Sequence, residues 1–265
     1  MYKRPIVILL IVECAGWLGV CSHALALAAT PAFSQATSQQ SSQGAVQPGA
    51  KAPEAPTAAA IASLKQKALA GDIAAQNKLG EVYALGQGVP RNLQEAAKWF
   101  RRAAEQGDAS AQLKLGVMYV GGFGVVPDME EALAWYKKAA AQGSVEAMLQ
   151  LGSLYEHGVG VPKSGREALN WYLQAAEKGN VDAEVRAGYI FRYGRENVQH
   201  DYEQALKWFR KAAQQGSGEA EFNLGHMYEE GLGVAPSVDQ AADWYSKAIQ
   251  DGFPSARVAL RNLKR

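Results

Sequence analysis

The chain is short of cysteine, of net charge and of catalytic signatures. It has two cysteines in 265 residues, too few for a disulfide framework or a four-thiolate zinc site. Its 27 Lys and Arg stand against 26 Asp and Glu, a formal charge of +1, whereas a nucleic-acid binder is normally clearly basic. No Gly-x-Gly segment continues to a third glycine or to Gly-Lys-Ser/Thr, so none is built to cradle a nucleotide phosphate. There is no His-Glu-x-x-His zinc pair, no Gly-x-Ser-x-Gly elbow, and no Ser-x-x-Lys, Ser-Asp-Asn or Lys-Thr-Gly set for serine acylation. The 48% hydrophobic content is nevertheless that of a folded protein.

The N-terminal segment reads as an address. Lys3 and Arg4 precede an apolar run, Ile6 to Val12, and small residues follow with Ala-x-Ala steps at Ala24 to Ala28 and a later step at Ala32-Phe33-Ser34. Glu13 interrupts the run, against a spanning helix of roughly 20 apolar residues. Residues 1–34 are therefore expected to be a cleaved export signal, which makes the protein periplasmic or secreted with no membrane insertion afterwards. The alternative is lipid anchoring at Cys21, but Val20 stands where a lipobox has a small residue. Cleavage removes both cysteines together with Lys3, Arg4 and Glu13, which leaves the remainder formally neutral and without a thiol. Residues 35–57 are rich in Gln, Ser, Ala, Gly and Pro without apolar periodicity, the composition of a flexible linker.

What the chain has in quantity is repetition. Trp99, Trp135 and Trp171 are 36 residues apart, Trp208 follows after 37 and Trp244 after another 36. Leu-Gly-x-x-Tyr recurs with the same step at Leu79, Leu115, Leu151 and Leu224, and the fourth copy is altered to Ala187-Gly188 with Phe191. Full repeats are placed at 72–107, 108–143, 144–179, 180–216 and 217–252, with helical caps at 58–71 and 253–265. Each repeat holds two helices. Gly71, Gly107, Gly143, Gly179 and Gly216 close one helix, and Asp72, Asp108, Ser144, Asn180 and Ser217 cap the next. Asn92, Asp128, Ser164, Asp201 and Ser237 open the second helix with Glu or Gln three residues on, which predicts a reciprocal capping box in every copy. The mid-helix glycines, Gly80, Gly116, Gly152, Gly188 and Gly225, each cost about 0.5–1 kcal/mol against Ala, so a close approach must compensate. Trp99 and its equivalents are the rings expected to pack over them.

The pattern Ala-x-x-x-Leu-Gly-x-x-Tyr, then Gly-x-Gly-Val, then Ala-x-x-Trp-Tyr/Phe-x-x-Ala-Ala-x-x-Gly resembles the Sel-one-like repeat family. Gly86 to Val89, Gly122 to Val125, Gly158 to Val161 and Gly231 to Val234 carry its glycine-rich loop. The resemblance spans 58–265 and implies an all-α fold, a right-handed superhelical α/α solenoid related to tetratricopeptide repeats. For function it implies an adaptor that binds another protein, often across the bacterial envelope; the motifs assign no catalytic residue, cofactor or metal. A cell-wall hydrolase, lactamase-like or other, and a factor attached to peptidoglycan are the competing readings.

In such an array the first helices line the binding side. Steps of 100° from Ala75, Leu79 and Tyr83 place Leu113, Val117, Leu149, Val185, Tyr189, Arg192, Phe222 and His226 opposite the core. A face that meets only water should be polar. This apolar strip therefore marks a groove for an extended or helical segment of a partner, unless neighbouring hairpins bury it. His157, His200 and His226 share no ligand spacing and are expected to be solvent-exposed. In the fourth repeat, Tyr193 to His200 replaces the glycine loop, and Arg186, Arg192 and Arg195 suggest a basic cluster.

Overall fold

A computed structural model describes residues 56–263; the expected signal and all but the last residues of the linker lie outside the described residues. The described residues form an all-α solenoid of twelve helices. They are α1 (Ala58–Leu69), α2 (Ile73–Leu85), α3 (Leu93–Glu105), α4 (Ala109–Gly121), α5 (Met129–Ala141) and α6 (Val145–His157). The second six are α7 (Gly165–Glu177), α8 (Val181–Tyr193), α9 (Tyr202–Gln214), α10 (Gly218–Glu230), α11 (Val238–Gln250) and α12 (Ala256–Leu263). The chain divides into two compact units, residues 1–139 and 140–265. In the first, α1 packs on α2, α2 on α3 and α3 on α4; in the second the same serial packing runs from α6 to α12.

The helix starts follow the predicted caps. Side-chain oxygens of Asp72, Asp108, Ser144, Asn180 and Ser217 accept from the N–H three residues on, as do those of Asn92, Asp128, Ser164, Asp201 and Ser237. The reciprocal half of the capping box is not made. The N–H of Asn92 donates instead to the carbonyl of Tyr83, and those of Asp128, Ser164, Asp201 and Ser237 donate to Tyr119, Tyr155, Phe191 and Tyr228. The cap residue is thus tied to the helix before it, which fixes the hairpin, and the acidic residue is released. Glu131 uses that freedom to accept from the Trp135 indole at 3.0 Å, and Glu95 pairs with Lys98.

The glycine contact also differs from expectation. The ring over each mid-helix glycine belongs to the residue after the tryptophan. A Cβ on Gly80 would lie 2.5 Å from Phe100, one on Gly116 2.6 Å from Tyr136, one on Gly152 2.5 Å from Tyr172 and one on Gly188 2.6 Å from Phe209; Tyr245 stands equally close over Gly225. The tryptophan, 100° further round the helix, faces elsewhere: Trp99 packs with Ala68 of α1 and with Ala75 and Leu79 of α2. Its outer face carries a cation three residues on, Arg102 at 4.6 Å, as do Trp135 (Lys138, 3.9 Å), Trp208 (Lys211, 4.8 Å) and Trp244 (Lys247, 4.3 Å).

Two of the glycine loops rest on the first residue of an earlier second helix. A Cβ on Gly124 would strike the Leu93 backbone, and one on Gly233 would lie 2.8 Å from Tyr202. The divergent fourth loop keeps this seat. Arg195 and Val198 exchange backbone hydrogen bonds of 3.0 and 2.8 Å around a tight turn with Asn197 at φ 62°, and the turn lies against Gly165, whose Cβ would stand 2.9 Å from the Glu196 carbonyl. The extra residue therefore changes the loop without changing how the repeats stack.

Candidate interaction site

The C-terminal end of α8, the middle and C-terminal end of α10 and the first residue of α9 come together at one cavity. Tyr189, Arg192 and Tyr193 project from α8, Phe222, Asn223, His226 and Glu230 from α10, Tyr202 opens α9, and Leu232 lies in the following loop; together they line a cavity of about 450 Å³. The helical step fixes this grouping. Arg192 and Tyr193 stand three and four residues after Tyr189, and Phe222, His226 and Glu230 follow one another at steps of four, so each set shares a face.

Arg192 is the anchor of the site. Its side chain is only 6% exposed. Nη1 donates to Asn223 Oδ1 at 2.9 Å, Nη2 lies 3.4 Å from Glu230 Oε2, and the guanidinium sits over the Tyr193 ring at 4.9 Å. The Asn223 amide in turn donates to the Tyr189 hydroxyl at 3.0 Å, and that hydroxyl donates to Glu219 at 2.8 Å. Burial pushes the Tyr189 phenol well above its ordinary value. Phe222 packs edge-on to His226 with centroids 4.6 Å apart and also touches Tyr245 and Phe253. Burial first, then the Arg192 charge, holds the His226 imidazole below its ordinary value, so the ring is neutral near pH 7.

Four of the eight residues placed opposite the core therefore line one cavity: Tyr189, Arg192, Phe222 and His226. The other four do not join it. Val117 and Val185 are interior at 7% and 5% exposure, Val185 within the cluster of Leu206, Phe209 and Leu224. Leu149 is half-buried against Ala168, Tyr172 and Ile190, and Leu113 is half-buried. The physical reason is that first helices contact helices on both flanks, so an apolar residue opposite one neighbour meets another. Two histidines also depart from expectation. His157 is half-buried with Nδ1 2.9 Å from the Ser153 carbonyl, and His226 is half-buried; only His200 is exposed, stacked on Tyr202. The three arginines do not act as one cluster, because Arg192 turns to Asn223 and Glu230 whereas Arg195 lies 3.9 Å from Glu156.

Periodicity missed Asn223, Tyr202 and Lys114. The Lys114 side chain is 9% exposed, with Nζ 2.6 Å from Glu81 and 2.8 Å from Asn77 Oδ1, and Lys78 lies 3.0 Å from the same carboxylate. Burial raises the Glu81 carboxyl, but the two lysines outweigh it and hold the group below its ordinary value. The same face of the first unit is thus polar and internally satisfied. Among the described residues, no three His, Cys, Asp or Glu are grouped to hold a metal ion, and no helix is long and apolar enough to cross a membrane.

Sel1 repeats match residues 73–108, 109–144, 145–180, 181–217 and 218–253. The chain belongs to the Sel1 repeat family. It is similar to c5321, a protective antigen of uropathogenic Escherichia coli strains with an SLR fold, at 37% identity and a TM-score of 0.72; the match covers 77% of this chain and 44% of that one. This chain therefore spans less than half of the antigen. It is also similar to a Sel1 repeat protein of Oxalobacter formigenes, at 36% identity and a TM-score of 0.67, covering 73% of this chain and 79% of that one. Comparison with curated proteins returned no match. Sel1 repeat proteins are generally protein-interaction scaffolds.

Proposed function

We propose that this Sel1 repeat protein is a non-catalytic scaffold of the bacterial cell envelope that captures a segment of a partner protein at the face shared by α8 and α10, and so helps to assemble or regulate an envelope complex. The observation that carries the reading is the cavity of Tyr189, Arg192, Phe222 and His226. It joins rings that supply contact area to a buried cation that supplies direction, the make-up of a protein-binding hot spot. The envelope assignment rests on Lys3, Arg4 and the apolar run Ile6 to Val12.

The test is site-specific photocrosslinking in cells. A photoreactive residue at Tyr189 or Phe222 is expected to capture a defined protein in the periplasmic or secreted fraction, and one at exposed Lys207 on α9 is not. Equal capture at both positions, or capture confined to the cytoplasm, overturns the reading.

A further inference from the structure

We propose that the cavity between α8 and α10 is a receptor for one acidic side chain within an internal, extended segment of a partner, with Arg192 as the receiving cation and Glu230 as a placeholder that the incoming carboxylate displaces. The proposal rests on the protein-capture reading and names the chemistry of that capture.

Arg192 is incompletely satisfied where it lies. A buried guanidinium is expected to be paired by a well-aligned, preferably bidentate, acceptor. Here the contact to Glu230 is single and long at 3.4 Å, Glu230 is 51% exposed, and the buried Nε has no partner among the described residues. The loose pair is cheap to break, and a carboxylate that meets the planar fork squarely would recover hydrogen bonding that Glu230 leaves unmade.

The corresponding positions in other repeats show that the fold does not require an arginine. They hold Ala84, Val120, Glu156 and Glu229. Glu156 and Glu229 accept hydrogen bonds from the Tyr172 and Tyr245 hydroxyls at 2.9 and 2.5 Å, joining the two helices of a hairpin. In the fourth repeat the ring is Phe209, which has no hydroxyl to donate, so this position is released from that duty. It carries instead a cation directed at the next repeat.

The surroundings select the ligand. Tyr189, Tyr193, Tyr202, Phe222 and Leu232 offer apolar walls for the stem of the acidic side chain and its neighbours, and about 450 Å³ lies within the range of binding pockets. One cation faces the cavity while His226 stays neutral, which matches a single negative charge. Glu219, Glu229 and Glu230 around it repel a phosphate dianion or a run of acids.

The probes are blocked pentapeptides titrated into the purified exported chain and followed by NMR. Acetyl-Ala-Leu-Glu-Leu-Ala-amide is expected to shift the resonances of Tyr189, Phe222 and His226, and the Gln counterpart to bind about tenfold or more weakly, the worth of a charged hydrogen bond. Glu230→Gln removes the placeholder and is expected to tighten the Glu peptide several-fold. Arg192→Gln is expected to erase the preference for Glu over Gln, and Arg192→Lys, which keeps the charge but loses the fork, to reduce it. Equal binding of the two peptides, weaker Glu-peptide binding in Glu230→Gln, or no binding at about 10 mM peptide overturns the proposal. So does tighter binding of the free-acid Gln peptide than of the blocked Glu peptide, which points to a chain terminus. Capture at Tyr189 in cells that persists in Arg192→Gln leaves the scaffold standing and removes only the carboxylate; no capture at Tyr189 in the unaltered protein removes the scaffold itself.

Discussion

A glycine recurring in mid-helix is an anomaly that one contact explains, and Gly188 shows which effect dominates. Alanine there would favour the helix by about 0.5–1 kcal/mol. Its Cβ would lie 2.6 Å from Phe209, a fully buried ring with no room to retreat, and overpacking of that kind costs about 1–3 kcal/mol. Gly188→Ala is therefore expected to be destabilising by about 1–2 kcal/mol in urea unfolding, and the loss to shrink or reverse in a Phe209→Leu background. A Gly188→Ala that stabilises by the full helix gain of about 0.5–1 kcal/mol would mean that the ring compensates for nothing. The need for a close approach was legible from recurrence alone. Its owner was not, because every repeat places two aromatic residues in succession, Trp208-Phe209 and its equivalents, and only the rotation of the second helix decides which one faces the glycine. Arg192 was legible as a position but not as a buried cation, since an arginine on a helix face ordinarily reads as solvated.

The helices show the same division between what sequence specifies and what neighbours decide. Ten of the twelve described helix starts were readable from their caps, because a cap is a local device, but the reciprocal limb was lost to the Tyr83, Tyr119, Tyr155, Phe191 and Tyr228 carbonyls, which no local pattern announces. Val117 and Val185 are buried for a related reason: a helix flanked on two sides is apolar beyond its first contact face. Between helix pairs, side-chain amides bridge the joints. The Gln106 amide donates to Gln76 at 2.7 Å, and the Gln215 amide donates to Glu184 at 2.8 Å. The last joint sets Asp251 against Glu221, two acids, with Glu221 only 4% exposed. Burial, then the Asp251 charge, push the Glu221 carboxyl up to about 7 from 4.5. The folded chain thus holds a proton that the unfolded chain releases, so this group's stabilisation is present below pH 4.5, declines as pH rises to about 7, and is flat above. The full span is at most about 3 kcal/mol, less in salt because Asp251 is exposed. Glu221→Gln restores an amide that can donate to Asp251. It is expected to raise the melting temperature at pH 8 and to flatten the pH profile relative to the unaltered chain; parallel profiles for the two would show that Glu221 is ionised throughout.

At the scale of the whole chain, the question is how far a local loss spreads. Consecutive helices touch mainly their neighbours, so stability should be close to a sum of repeat and interface contributions. The C-terminal cap gives a clean way to measure this. Ala259, Leu260 and Leu263 of α12 pack with the cluster of Ala241, Tyr245 and Ala248, to which Phe222 and Phe253 also belong. Truncation after Pro254 keeps Phe253 but exposes that cluster, at a cost of about 2–4 kcal/mol for two half-buried leucines, Leu260 and Leu263, and the apolar surface they cover. Hydrogen exchange is expected to show protection lost in α11 and reduced in α10, with α2 to α4 unchanged. Because Phe222 stands between Phe253, Tyr245 and the α8–α10 cavity, the truncated chain should also bind the Glu pentapeptide more weakly although no residue lining the cavity is removed. Uniform loss of protection from α1 onward would instead mean that the repeats unfold as one cooperative block. Intact peptide binding would mean that α8, α9 and α10 hold the site unaided. On the proposed reading, the cap would be part of the binding site in proportion to how much affinity its removal takes away.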